Sequence, residues 1–309
     1  MTMNNYHPLR LMTGKFVLIC EGKEDSDLLN AILSPFISDF SIYYANGKES
    51  VAKLRGILQP AISIVDRDFN YLPSEIKMES NELFWLRHDI EAYLLYPDWL
   101  FEVTQKIRAT IKYSLKNLPV NPNVIENQLV EIANNLIIDH AGRKTTDWLN
   151  QEINKLNPHF PINRQHIKGG AEVSDLSNWN KLFQEFENNL LSSPQKLGLA
   201  IKNINIWDKF DEYQQIYSNA SKNLDTILRF FSGKRLLKMI IQKWGLKKLG
   251  ESSELTKKPI DSFNYIQKEL TEIAKNHAIA IKAQNQNLSD DPRLGDFGWL
   301  ASKITGRNI

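Results

Sequence analysis

Two short apolar runs near the start of the chain each stop abruptly at carboxylates. Phe16-Val17-Leu18-Ile19-Cys20 runs into Glu21-Gly22, and Ala61-Ile62-Ser63-Ile64-Val65 runs into Asp66-Arg67-Asp68. Runs of this kind read as buried strands, and buried strands belong in parallel sheets covered by helices. In such sheets ligands bind at the C-terminal edge of the strands, so the carboxylates stand where chemistry is done. Acids delivered there by two strands suit a divalent cation, which takes hard oxygen ligands.

The intervening sequence supports an α/β order. Asp25 to Leu33 carries Leu28, Leu29, Ile32 and Leu33 at helical spacing, with Asp25 or Ser26 available to cap its start. Glu49 to Leu58 places Val51, Leu54, Ile57 and Leu58 on one helical face and ends before Pro60. Ser41–Tyr44 and Leu83–Leu86 are shorter apolar runs at the intervals expected of further strands. Alternating strands and helices imply right-handed crossovers and a parallel central sheet.

Beyond residue 97 the texture becomes helical. Pro97–Ser114, Asn123–Asp139, Thr145–Leu156, Leu176–Leu191, Asn205–Tyr217, Leu224–Phe230, Lys234–Leu249 and Ile260–Ala283 read as helices separated by Pro, Gly or Asn breaks. Asn157–Gly170 and Gly250–Pro259 read as loops. The expected organisation is an α/β domain over residues 1–100 and a mostly helical, basic domain over 101–309.

Composition bounds the chemistry. The 309 residues are 42% hydrophobic and 24% charged, enough for two globular cores. A single cysteine, Cys20, excludes a disulfide framework and a cysteine zinc site and fits a reducing compartment. No window approaches the ~18 apolar residues of a membrane span and the first 15 residues do not read as a leader, so a soluble cytoplasmic protein without membrane contact is expected. The net charge of +2 conceals an asymmetry: residues 1–100 hold 9 Lys and Arg against 14 Asp and Glu, a net of −5, and the remainder holds 29 against 22, a net of +7. An acidic front and a basic rear suit a metal-binding catalytic part joined to one that grips a polyanion, although Lys-rich helices also serve plain solubility.

Three clusters carry the candidate chemistry. With a helix starting near Lys23, Glu21 and Asp25 face the same side; Glu24 and Asp27 are better explained as acids favoured by the dipole of the first turn. Asp66 and Asp68, two apart on an extended strand end, point the same way while Arg67 points elsewhere. Adjacent bare carboxylates repel, and a divalent cation is the simplest way to hold both ionised. The third cluster is His88-Asp89-Ile90-Glu91, where Asp89 is a natural helix cap, Glu91 falls in the first turn, and His88 is more simply structural than catalytic.

In this order, Glu-Gly after one strand, Asp-x-Asp after a later one, and His88-Asp89-Ile90-Glu91-Ala92-Tyr93-Leu94-Leu95 after the last, the clusters resemble the Toprim domain shared by topoisomerases, primases and OLD-family nucleases. The last segment is most similar to the OLD-like branch, and in particular to the Toprim effector subunit of PARIS-type anti-phage systems. The likeness covers about residues 14–100. It implies a Rossmann-like Toprim domain followed by the helical part, with Glu21 as metal ligand or general acid/base, Asp66 and Asp68 as the metal-binding pair, and Asp25 and Glu91 as further metal ligands. Lys234, in Phe231-Ser232-Gly233-Lys234-Arg235, matches the lysine that OLD-like proteins set near the scissile phosphate.

The resemblance further implies an Mg²⁺- or Mn²⁺-dependent endonuclease acting on DNA or RNA, transfer RNA included. It also implies an ABC-type ATPase partner, and leaves the oligomeric state open, a homodimer included. Lys234, Lys238, Lys243, Lys247 and Lys248 would grip the phosphate backbone from one helix. A rival expectation is a degenerate, non-catalytic Toprim acting as an interaction subunit of an ATPase defence complex. A P-loop ATPase is excluded, because neither Gly22-Lys23 nor Gly233-Lys234 has a glycine five residues before the Gly-Lys.

Overall fold

The computed structural model describes residues 16–38, 40–58, 61–67, 77–79, 82–110, 117–156, 176–191, 205–246, 248–251 and 259–305. Asp68 lies outside these residues, as do the loop predicted over Asn157–Gly170 and the middle of the one predicted over Gly250–Pro259.

The front of the chain alternates strand and helix: β1 (Phe16–Cys20), α1 (Lys23–Leu33), β2 (Phe40–Tyr44), α2 (Lys48–Ile57), β3 (Ala61–Val65), β4 (Lys77–Glu79) and β5 (Glu82–Phe84). They form a five-stranded sheet in the order β2-β1-β3-β5-β4, in which β2, β1, β3 and β5 run parallel and β4 is an antiparallel edge. The predicted parallel sheet is therefore present. All five residues of β3 are buried, which explains why its sequence is apolar without alternation. The helix α1 buries Leu28, Leu29, Ile32 and Leu33, the four positions expected. On α2 the expected face is incomplete: Val51, Leu54 and the following Leu58 are buried, but Ile57 is 71% exposed.

A 3-10 turn over Ile90–Leu94 leads into α3 (Pro97–Thr110). Beyond it lie α4 (Pro122–Leu156), α5 (Leu176–Leu191), α6 (Ile206–Ala220), α7 (Leu224–Phe230) and α8 (Gly233–Lys243). A hairpin of β6 (Lys248–Glu251) and β7 (Pro259–Asp261), then α9 (Ser262–Ala283) and α10 (Gly295–Thr305), completes the described elements.

Several expectations are corrected here. The break expected between Asp139 and Thr145 does not occur; α4 runs through it, because a Cβ at Gly142 would stand 2.2 Å from the ring of Trp179, so this glycine is a notch for an aromatic ring rather than a stop. The helix expected over Lys234–Leu249 ends at Lys243, where Gly245 takes φ +76° and turns the chain. Lys248 and Leu249 then belong to the β6–β7 pair, so strands are not confined to the front, and Lys248 does not share a helix with Lys234. The predicted loop Gly250–Pro259 has paired strand residues at both ends. The helix α10 is an addition to the sequence reading.

The described chain divides into two compact units, and not at residue 100. Among the described residues the first draws on those of 16–67, 77–125 and 232–305, the second on those of 126–231. Within the first unit α9 packs on α1 and α3, and α8 packs on the turn Ile90–Leu94. Residues 232–305 thus supply helices that pack on α1, on α3 and on the turn after β5. Within the second unit, Phe183, Trp207 and Phe210 pack edge to face, a core of aromatic rings on helices. Among the described residues no helix is long and apolar enough to cross a membrane.

Candidate functional site

Three strand ends and one distant helix start build the site, all within the first unit. At the end of β1, Gly22 precedes α1, which begins at Lys23 as expected; the Gly22 N–H donates to Asp25 Oδ2 at 2.8 Å. Asp25 is therefore a local capping partner as well as a candidate ligand. Glu24 and Asp27 lie exposed on the first turns, in keeping with a dipole role.

Glu21 reaches sideways to the end of β3, where the Asp66 N–H donates to Glu21 Oε1 at 3.0 Å. Asp66 reaches on toward β5, accepting at Oδ1 from the Ile90 N–H at 3.2 Å. The two acids singled out at the ends of adjacent strands are thus brought together, each also holding a backbone amide. Arg67 turns away, as expected of the middle residue, and its guanidinium donates to the Leu86 carbonyl. Through Ile90 the same chain of bonds reaches the turn that carries Glu91.

Asp89 is the hub of the third cluster. Its Oδ1 accepts from the Ala92 N–H at 3.2 Å, the cap read from the sequence, and from the Gly233 N–H at 2.9 Å; its Oδ2 accepts from the Ser232 hydroxyl at 2.8 Å and from the Lys234 N–H at 3.4 Å. A buried carboxylate at a helix N-terminus satisfies the orphan amides and the helix dipole together. Gly233 is required by the closeness of the contact: a Cβ would stand 2.2 Å from the Ala92 nitrogen and 2.6 Å from Asp89 Oδ1. This clamp carries Lys234 into the field of Asp25 and Glu91, where its charge acts on both carboxylates.

The charges are unevenly matched. Burial pushes the Glu91 carboxyl up to about 8, helped by the Asp89 and Asp25 carboxylates, with Lys234 pulling the other way. Burial also raises Asp25, reinforced by Glu24 and Asp89 and opposed by the Gly22 amide and Lys234. Asp89 is the exception: burial disfavours its charge, yet His88, the Ser232 hydroxyl and the Lys234 amide together hold it below the usual carboxylate range. His88 Nδ1 stands 3.6 Å from Asp89 Oδ2, a supporting position. Cys20, with its thiol pushed up by burial and by Asp25, is no nucleophile.

Behind the turn, Arg87 donates to the Ala92 carbonyl at 2.8 Å and lies over the Tyr93 ring, whose hydroxyl donates to Asp296 of α10. Burial and the Asp296 carboxylate raise Tyr93 well above its ordinary value, so it stays a neutral donor.

The donor set is all oxygen and rich in carboxylate, which fits Mg²⁺ or Mn²⁺. A bound cation would offset the burial and the neighbouring carboxylates that raise Asp25 and Glu91. Among the described residues, no group of three or more His, Cys, Asp or Glu is gathered closely enough to hold a metal by itself. Asp68, which the sequence adds to the set, is outside those residues.

Sequence reasoning missed two contributors. Lys48, first residue of α2, donates to the Asp66 carbonyl at 2.7 Å and stands 4.0 Å from Glu21 Oε1. Its signal was the Asn46-Gly47 pair after β2, both at positive φ (55° and 110°), which turns the chain back across the sheet edge. Ser232 was the other, and only its position before Gly233-Lys234 could have pointed to it. No protein-family model matches this chain, and no curated protein matches it in sequence.

Proposed function

We propose that this chain is a metal-dependent endonuclease of the OLD-like Toprim kind, hydrolysing phosphodiester bonds in DNA or RNA. The observation that carries the reading is the set of carboxylates at the C-terminal edge of a parallel sheet, where Lys48 stands beside Glu21 and the charge of Lys234 reaches Asp25 and Glu91. Asp25 and Glu91 both sit above their ordinary range beside Asp89, and Lys234 is the cation whose charge acts on both. The anti-phage role and the ABC-type ATPase partner rest on the likeness of His88–Leu95 to PARIS-type effector subunits.

In this reading Glu21, Asp25, Asp66 and Glu91, with Asp68 from outside the described residues, would hold the metal once drawn closer together than they stand here. Bound Mg²⁺ or Mn²⁺ would supply the positive charge that makes water a nucleophile near neutral pH and that stabilises the leaving oxygen. Glu21, which follows β1 and reaches the Asp66 amide at the end of β3, accepts the proton of the attacking water. Lys234 neutralises the scissile phosphate, and the exposed Lys238, one turn on along α8, extends that basic face along the backbone of the substrate.

A second reading has its own observation. Glu21, Asp25, Asp66 and Asp89 each accept a backbone amide, so every one of them also has a structural task. A degenerate Toprim serving as an interaction subunit would retain these bonds without catalysis. The two are separated by incubating the chain with Mg²⁺ or Mn²⁺ and mixed DNA and RNA, with and without its ATPase partner. We expect cleavage that is abolished in Glu21→Ala and in the double variant Asp66→Ala, Asp68→Ala, with the circular dichroism of the folded chain retained. Absence of cleavage by the unaltered chain in the presence of metal and partner would leave the interaction reading.

A further inference from the structure

We infer that Lys48 is a positioning residue of the candidate site, tying Glu21 and the exit of β3 into one rigid unit. Asp66 is held at both ends of its backbone: its N–H donates to Glu21 Oε1 at 3.0 Å, and its carbonyl accepts from Lys48 Nζ at 2.7 Å. The same ammonium stands 4.0 Å from Glu21 Oε1, which closes a ring of three residues drawn from the ends of β1, β2 and β3. The backbone of the second of these ends is pinned too, because the Ala45 N–H donates to the Cys20 carbonyl at 3.0 Å and the Gly47 N–H to the Glu21 carbonyl at 3.1 Å.

The turn that delivers Lys48 is conformationally demanding. Asn46 and Gly47 both take positive φ, and a Cβ at Gly47 would meet nothing within 4 Å, so the glycine there answers to backbone conformation and not to crowding. A surface lysine with a solvating role needs no such turn. Lys48 is one-third exposed and its partner Glu21 less so, a setting in which a charge-assisted bond to a carbonyl is worth more than in open water. Without the ammonium, the Asp66 carbonyl and the Glu21 carboxylate would repel each other across the ring. The acid proposed to take the proton would then lose its fixed direction.

Lys48 is bonded to the Asp66 carbonyl and stands beside Glu21, so the role assigned to it is exerted through these two residues. Its catalytic consequence rests on the nuclease reading, and the tie itself does not. The test therefore uses two readouts on the full chain carrying Lys48→Met or Lys48→Arg. Amide hydrogen exchange is followed at Asp66, with the α9 amides as an internal reference for global opening. In Lys48→Met we expect Asp66 to exchange about 10-fold faster or more while α9 is unchanged, and Lys48→Arg, which keeps a cationic donor, to recover most of the protection. Cleavage should fall about 10–100-fold in kcat with KM little changed, again partly restored by arginine. Unchanged exchange at Asp66 overturns the inference, and so does equal acceleration at Asp66 and α9, which would assign Lys48 to general stability. If the unaltered chain cleaves nothing, the nuclease reading falls while the exchange comparison still decides whether the tie exists.

Discussion

The molecule contains two buried aspartates that each neighbour a histidine in sequence, and they are used in opposite ways. In the second unit Asp139 sits on α4 with its oxygens 3.0 and 3.1 Å from Nε of Arg143, one helical turn on; His140 points its Nδ1 to the Leu136 carbonyl at 3.1 Å and packs against Tyr217 and Phe231. That carboxylate is answered by a cation four residues away on its own helix. In the first unit Asp89 is answered mainly by the backbone and hydroxyl of Ser232-Gly233-Lys234, 143 residues downstream at the nearest. A locally matched carboxylate braces a core. One matched by a remote helix start assembles an edge, and at that edge Asp25 and Glu91 remain in surplus.

Truncating the two aspartates should expose this difference. Asp89→Ala leaves the Ala92, Gly233 and Lys234 amides and the Ser232 hydroxyl without their shared acceptor; a loss of about 3–5 kcal/mol in denaturant unfolding is expected, together with loss of cleavage. Asp139→Ala strands a partly exposed arginine that can turn to water, so its stability cost should be smaller and cleavage per folded molecule should be unaltered. Equal effects on cleavage would erase the contrast.

Gly233→Ala is the subtler probe of the same clamp. Its Cβ would have to displace the Ala92 backbone, and overpacking of this kind costs about 1–3 kcal/mol. We expect the thermal midpoint to fall and the cleavage rate to fall further than stability alone explains, because Lys234 is carried out of place. The equivalent change at Gly142, against the Trp179 ring, should lower stability without that second effect.

The most gradual expected effect is a pH slope. Glu91 has a folded-state pKa of about 8, above the ordinary carboxylate value of 4.5. Between those limits the native chain binds more protons than the unfolded one, so stability declines as pH rises through the window, by at most about 1.4 kcal/mol per pH unit from this group. Glu91→Gln should flatten the decline and be the more stable form at pH 8, as measured by denaturant titration at several pH values. Added Mn²⁺ should flatten it as well in the unaltered chain. A slope that is the same in both proteins would show that Glu91 is not the group responsible.

How far the sequence foretold these features varies with distance along the chain. Phe16–Cys20 and Ala61–Val65 became strands with the bounds read from their apolar runs, because full burial on a parallel sheet leaves a continuous apolar signal. Glu21 and Asp66 meet because adjacent parallel strands end side by side, a consequence of topology. Asp89 was legible as a cap but its grip on Ser232-Gly233-Lys234 was not, since no local pattern reports a contact 143 residues away. The glycines misled for a related reason. Gly142 was read as a break, but there, as at Gly233 and Gly298, another group comes within van der Waals contact of the backbone, and a single sequence writes that requirement with the same letter it uses to end a helix. The division at residue 100 differs from the compact units for a like reason: a change from strand-rich to helix-rich texture marks where the chain leaves the sheet, not where it stops packing on the helices beside it.

The Asp89 clamp has a further consequence in time. A ribosome adding about 5–20 residues per second needs roughly 7–30 seconds to pass from Asp89 to Ser232, 143 residues later. Throughout that interval every acid of the edge is already made, yet the lysine that completes it does not exist. A growing chain therefore carries an unfinished edge until residues 232–234 emerge, and under the proposed nuclease reading the order of the residues alone would keep the site incomplete during synthesis.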